Sequence, residues 1–338
     1  SPSRGLGDVY KRQVSQGHAV YASDTSFVTL TNSGTEVARL QLTHSNPVMK
    51  NNENRFLTYG IGSSSYEISS FDETLYSGNA ENKIYTGDVA SNGTYCLVTE
   101  DNGYLTTLYA YSKNNNRIYK YSFSEYYITS VAINKDGSGC VATGVSSDKG
   151  SAVTGVYVLD FSQEKPVSTY KISGDSVLDC KYLTSDTAVL VGSQASYIVK
   201  KGEKNYKTVS YEDKTLSNYC FNTDTSTYTM ALSRSGDGRS VALISYNSNG
   251  EAQYTINTEH KADSLSVYKG TVAILDGNVV YGYNQNGDLL YSTNSGTGSK
   301  KIVLASDYTA YILSVNQIRF IDLDSVSSDD TAQTSKQE

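Results

Sequence analysis

Tryptophan is absent from these 338 residues, and proline occurs three times. So few prolines leave the turns to glycine, asparagine, aspartate and serine. There are three histidines, His18, His44 and His260, with His18 close to the start; together they furnish at most a two-imidazole site. The four cysteines, Cys96, Cys140, Cys180 and Cys220, stand about one repeat apart with no close pair and no neighbouring histidine, which is not a zinc spacing. Each lies in an apolar run and reads as a free, small, buried side chain. Cys180 and Cys220 occupy similar places in neighbouring repeats, but adjacent first strands stand too far apart for a disulfide. No stretch of ten or more residues shows helical periodicity, and no signal peptide or membrane helix is visible. Charge also lacks a basic stripe: the net is −7, with +2 in the first thirteen residues, −3 from Asp324 onward and −6 between them. That distribution argues against a nucleic-acid partner, since phosphate contacts need clustered Lys and Arg.

What the chain has in quantity is tyrosine, 30 residues against seven phenylalanines. A ring that buries well yet keeps a hydroxyl suits half-buried strands. The stretch from Ile84 to Asp136 shows how they are arranged. Runs at 84–90, 94–100, 104–111 and 117–123 are separated by Ser91-Asn92-Gly93, Asp101-Asn102-Gly103 and Lys113 to Asn116. Asn-Gly suits a type I′ turn, so this reads as four strands in a meander. The same grammar recurs about every 40 residues, and the strict alternation at 128–133 marks a pleated strand.

These observations predict an all-β chain, a β-propeller of four-stranded antiparallel blades. Eight blades are expected, or seven if the first and last, both incomplete, merge. The first, with strands at 19–22, 26–31 and 37–42, lacks an innermost strand; the last, at 301–305, 309–313 and 317–323, lacks a fourth. In the fourth blade a loop is expected at 144–152. Residues 1–13 have no alternation and read as a non-native leader, so the native N-terminus is expected to be missing. Residues 14–323 form the propeller and 324–338 a disordered polar tail.

Thr86-Gly87-Asp88-Val89-Ala90-Ser91-Asn92-Gly93, with Leu97-Val98-Thr99-Glu100 and Gly103-Tyr104-Leu105 after it, resembles the family of unknown function numbered 5711. His44-Ser45-Asn46-Pro47-Val48 and Tyr126-Tyr127-Ile128-Thr129-Ser130-Val131-Ala132 fit the same family, and the likeness covers most of residues 19–323. The resemblance implies a propeller on the extracellular side of a Gram-positive membrane, anchored by an N-terminal helix that this sequence does not contain. It supplies no catalytic residues, and no cofactor is expected. Quinone-cofactor propellers share the architecture, but their repeats are rich in tryptophan.

In a propeller, links between blades emerge on the same face as loops from second to third strands. His44 and His260 fall in interblade links, as do Tyr126 and Tyr127; Tyr104 and Arg234 fall in second-to-third-strand loops. These six are the expected ligand-binding residues, crowding one mouth of the channel where they could stack a sugar or grip a peptide. Catalytic patterns are poorer. No EF-hand loop is completed near Asp136, and no Gly-x-Ser-x-Gly elbow occurs. Asp88, on a first strand, and Glu100 with Asp101, at the end of a second, need not face one another as a hydrolytic pair must. The expected function is therefore a monomeric, non-catalytic propeller binding a protein or cell-wall glycan, with no metal. A glycan hydrolase or lyase at the channel mouth, and an extracellular sensor domain, are the alternatives.

Overall fold

The computed structural model describes residues 11–15, 18–22, 26–31, 35–44, 47–314 and 317–324. The first sheet holds β1 (Lys11–Ser15), β2 (His18–Ala22), β3 (Ser26–Thr31) and β4 (Glu36–Gln41). The second holds β5 (Pro47–Asn52), β6 (Arg55–Gly60), β7 (Ser65–Ser69) and β8 (Thr74–Asn79). Then come β9 (Ile84–Val89), β10 (Tyr95–Glu100), β11 (Thr106–Tyr111) and β12 (Arg117–Phe123), followed by β13 (Tyr127–Ile133), β14 (Gly139–Asp148), β15 (Ser151–Asp160) and β16 (Ser168–Ser173). The fifth blade is β17 (Val177–Tyr182), β18 (Thr187–Gly192), β19 (Ala195–Lys200) and β20 (Lys207–Ser210); the sixth is β21 (Thr215–Asn222), β22 (Thr227–Ser233), β23 (Val241–Tyr246) and β24 (Ala252–Thr258). The seventh is β25 (Ser264–Tyr268), β26 (Thr271–Asp276), β27 (Val279–Tyr283) and β28 (Leu289–Asn294), and the eighth is β29 (Ser299–Ser306), β30 (Thr309–Ser314) and β31 (Ile318–Asp322).

Every sheet is an antiparallel meander in chain order, seven of four strands and one of three. First strands of successive blades lie side by side, β5 against β9, β9 against β13, β13 against β17 and β25 against β29, and β29 returns to β1. The core is correspondingly divided. Eight apolar clusters each fill one interface between neighbouring blades, from Phe27, Met49 and Phe56 between the first two to Ala305, Tyr311 and Leu30 between the eighth and the first. Alternation produces this: a strand of period 2 has two apolar faces only if both are covered, and here each blade is covered by the next. Polar side chains stitch the same interfaces. Asp88 accepts from the Ile133 amide at 2.8 Å, Thr154 from Val177 at 3.2 Å, and Ser264 and Ser266 from Ile302 and Leu304 at 3.1 and 2.9 Å.

Three expectations need correction. The first blade has its innermost strand. Lys11 to Ser15 pairs with Ala22 to His18, so the boundary at 13/14 falls inside β1. Backbone pairing does not require apolar alternation, which is why the strand carries no sequence pattern. The loop expected at 144–152 is instead the paired end of a hairpin. Asp148 faces Ser151, and Lys149 and Gly150, at φ 49° and 83°, form the two-residue turn. Conversely, the Asn-Gly pair at 92–93 is not type I′. Gly93 alone has positive φ, while the Asn92 side chain accepts from the Thr94 amide at 3.0 Å and donates to Asp136 O at 2.7 Å. The eighth blade has three strands among the described residues, as expected. Residues 325–338 of the expected tail lie outside the described residues.

Candidate functional site

Strands that alternate in direction send second-to-third-strand loops and interblade links to one face, called here the upper face. Five of the six expected ligand residues lie in such segments and Tyr127 opens β13 at the end of one, but their surroundings differ. His44 is buried: its Nε2 contacts the Glu67 carboxylate on β7 and its Nδ1 lies 3.3 Å from Ser65 Oγ. Sealed inside its blade, it cannot meet a ligand. Tyr126 is half-buried, with its ring wedged against Tyr157 and over the backbone of Gly155. The Arg234 guanidinium turns back on its own blade, donating to Ser240 O and Thr258 O at 3.0 and 3.4 Å and lying 3.5 Å from Glu259. His260 stacks on Tyr281 with centroids 3.6 Å apart, and its Nδ1 is 3.4 Å from Asp276 Oδ2. Tyr104 and Tyr127 are exposed. Next to them, the Ile128 amide donates to Thr106 Oγ1 at 3.3 Å, which joins their two segments.

The six therefore do not make one constellation. Among the described residues no hydrogen bond, ion pair or ring contact joins His44 to any other of them. Arg234 and His260 share a neighbourhood through Glu259, and Tyr104 and Tyr127 share another. Two crevices between blades, of about 310 and 250 Å³, lie elsewhere and are lined by none of the six.

Charges inside the ring form a further group that sequence reasoning missed as a site. Lys50 on β5, Asp88 on β9, and Asp179 and Lys181 on β17 influence one another across three blades. Burial pushes the Asp88 carboxyl above its ordinary value, against the opposing pull of Lys181, the Ile133 amide and Lys50. For Lys50 the sum goes the other way. Burial favours the neutral amine, but Tyr59, Asp179 and Asp88 outweigh it and hold the ammonium above its usual range. Asp179 also accepts from the Tyr219 hydroxyl at 3.1 Å, tying the fifth blade to the sixth. The signal in the sequence was charge inside first strands, at Met49-Lys50, Gly87-Asp88 and Asp179-Cys180-Lys181. The four act on one another electrostatically, and the direct blade-to-blade bonds are those that Asp88 accepts from the Ile133 amide and Asp179 from the Tyr219 hydroxyl. Burial raises the thiols of Cys96, Cys140 and Cys180, the last to about 12, so none is a thiolate nucleophile at neutral pH. Among the described residues no group of three or more His, Cys, Asp or Glu could hold a metal ion.

The sequence profile of a family of unknown function, DUF5711, matches residues 7–323. The chain belongs to that family. No curated protein matches it. Among solved structures, the chain shares its architecture with apo AztD from Citrobacter koseri (TM-score 0.61, 7% identity, 86% of this chain and 88% of that one). The C-terminal WD40 domain of Sif2 is also similar (TM-score 0.58, 15% identity, 85% and 86% covered). So is Kuenenia stuttgartiensis hydrazine synthase (TM-score 0.52, 9% identity, 94% and 96% covered). At such identities the likeness concerns the fold alone.

Proposed function

We propose that this DUF5711 chain is a non-catalytic recognition domain that binds a protein or glycan partner outside the cell, at the envelope, on an anchor beyond this sequence. The observation that carries it is the pair Tyr104 and Tyr127. Both are large and exposed on the upper face, Tyr104 in the β10–β11 loop and Tyr127 at the start of β13. Rings held in place at little entropic cost are what recognition surfaces use. Binding of soluble cell-wall fragments and of extracellular protein extracts by the domain, compared with Tyr104→Ala/Tyr127→Ala, tests this. Equal binding by both proteins would refute the assignment. Protease accessibility of the full-length protein in intact cells tests the location, and protection until lysis would overturn it.

A glycan hydrolase or lyase is the second reading, favoured by His260 beside Asp276 at the same face. An acid and a histidine within reach are the minimum for proton transfer. Release of reducing ends from cell-wall glycan, lost in Asp276→Asn, would replace the binding function with this one.

A further inference from the structure

Five of the large apolar side chains that the protein leaves exposed lie on the upper face of four consecutive blades. They are Ile61 (62% exposed), Tyr85 (44%), Tyr104 (51%), Tyr127 (53%) and Leu178 (54%). Ile61 is in the β6–β7 loop, Tyr104 in the β10–β11 loop, and the other three begin the first strands β9, β13 and β17. Backbone amides tie each of these segments to a neighbouring blade or loop. Next to Tyr85, the Ile84 amide donates to Ser63 O at 2.9 Å, in the loop that carries Ile61. The Glu100 amide, before the Tyr104 loop, donates to Lys83 O at 2.9 Å. Next to Leu178, the Val177 amide donates to Thr154 Oγ1 at 3.2 Å. Tyr85, Tyr127 and Leu178 thus each adjoin a buried residue, Ile84, Ile128 or Val177, whose amide is pinned. At the matching places in blades six to eight the chain shows exposed Thr215, buried Leu265 and exposed Lys300 instead. Among the described residues, the apolar character of this face is confined to an arc.

One wall bounds that arc. β14 and β15 have ten residues each, against five to seven in the second and third strands of the other blades. The surplus projects from the upper face by roughly 13 Å at strand rise. Residues 146–152 at its end are exposed. Around the arc, Glu81, Glu100 and Glu125 are exposed and, among the described residues, form no ion pair. Asp148 on the wall is matched by Lys171 at 3.6 Å. Exposed Lys83 and Lys149 offset part of this charge.

From this arc, and resting on the recognition role just proposed, we infer that blades two to five dock a polypeptide segment of another protein, one that alternates apolar residues with lysine or arginine. Tyrosine faces attract cations, and the three glutamates reward the same charge. The aliphatic ends of the arc, Ile61 and Leu178, offer burial but no plane for a sugar to stack on, which favours peptide over glycan. A second copy of this chain is disfavoured, because two-fold pairing would set the same three glutamates against each other.

A displayed library of random dodecapeptides, selected on the intact 338-residue chain, provides the probe, with affinities read by fluorescence anisotropy. Selected peptides should be enriched in Lys or Arg together with Leu, Phe or Trp. Tyr104→Ser/Tyr127→Ser should weaken them at least tenfold, and Leu178→Ser severalfold. Glu81→Gln/Glu100→Gln/Glu125→Gln should reduce the salt dependence of binding. Leu289→Ser, on the opposite face, should change nothing. All these side chains are exposed, so melting temperatures should stay within a few degrees of the parent. Acidic or unenriched peptides, or binding indifferent to the arc variants, would overturn the inference; so would a dimer by sedimentation that Tyr127→Ser dissolves. Soluble cell-wall glycan forms a parallel arm. Glycan binding abolished by Tyr104→Ser/Tyr127→Ser would sink the peptide assignment while leaving the recognition role intact, whereas no binding in either arm would end both.

Discussion

At the scale of single residues, position in a link or loop told which face a side chain belongs to but not what it touches. His44 is the clearest case. Its partner Glu67 is 23 residues away on a strand, and nothing near His44 in sequence announces it. His44→Ala would strand a mostly buried carboxylate, at a cost of about 3 kcal/mol. A melting-temperature fall of several degrees with no separate effect on binding is expected, measured by calorimetry and anisotropy. Asp88 makes a different prediction. Its carboxyl is raised by burial, so the unfolded chain gives up this proton at lower pH than the folded one does. Stability from this group must therefore fall as pH rises from the ordinary carboxylate range toward the folded value. Asp88→Asn keeps an acceptor for the Ile133 amide and removes the titration. Denaturation midpoints from pH 4 to 8 should show the parent losing ground to the variant as pH rises. Asp160 runs the opposite way. Lys201 at 2.8 Å and Ser162 at 2.6 Å hold it down to about 2. Its contribution, about 1 kcal/mol after solvent screening, is present above pH 4 and disappears as pH falls through 2. Lys201→Met should remove the Lys201 share and leave that of Ser162, seen as a shallower acid limb in the same titration.

At the scale of elements, most strands were legible because buried alternation is a strong signal, and the turns were less so. The hairpin end at 144–152 is solvated on both faces, so its serines, aspartate and lysine look like loop even while fully paired. Asn-Gly misled in the other direction, because the Asn92 side chain has a partner, Asp136 O, in the next blade. Tyrosine's abundance gains a specific use here. Rings lie over cross-strand glycines, Tyr66 over Gly78 and Tyr291 over Gly282, and Tyr126 over Gly155 from the preceding link. A Cβ on Gly155 would meet the Tyr126 ring at 2.5 Å. Gly155→Ala should cost about 1–3 kcal/mol by overpacking, and much less in a Tyr126→Ala background, a coupling that urea denaturation of the double-mutant cycle would reveal. Additive losses would refute the wedge.

At the scale of the molecule, the period of 40 residues was enough to give eight blades, whereas the closure was not legible at all. The first blade is complete without a strand from the C-terminal end. Among the described residues, the eighth meets the first through packing of Tyr311, Ala305 and Phe320 against Leu30 and through Tyr311 donating to Thr31 O. Tyr311→Ala should thus destabilise the whole ring by about 3–5 kcal/mol. Hydrogen exchange should accelerate first in β29, β30 and β3, with blades four and five following last; uniform acceleration would argue against a seam.

Among the described residues the two ends of the ring touch but share no strand, and this has a mechanical signature. Tension applied between Lys11 and Asp324 then meets packing at the joint, so the end sheets can peel away without tearing a hydrogen-bonded ladder from both sides. Each released sheet of roughly 40 residues lengthens the chain by about 140 Å. A force–extension trace should accordingly climb in a staircase of similar treads, beginning at low load, in place of a single late rupture.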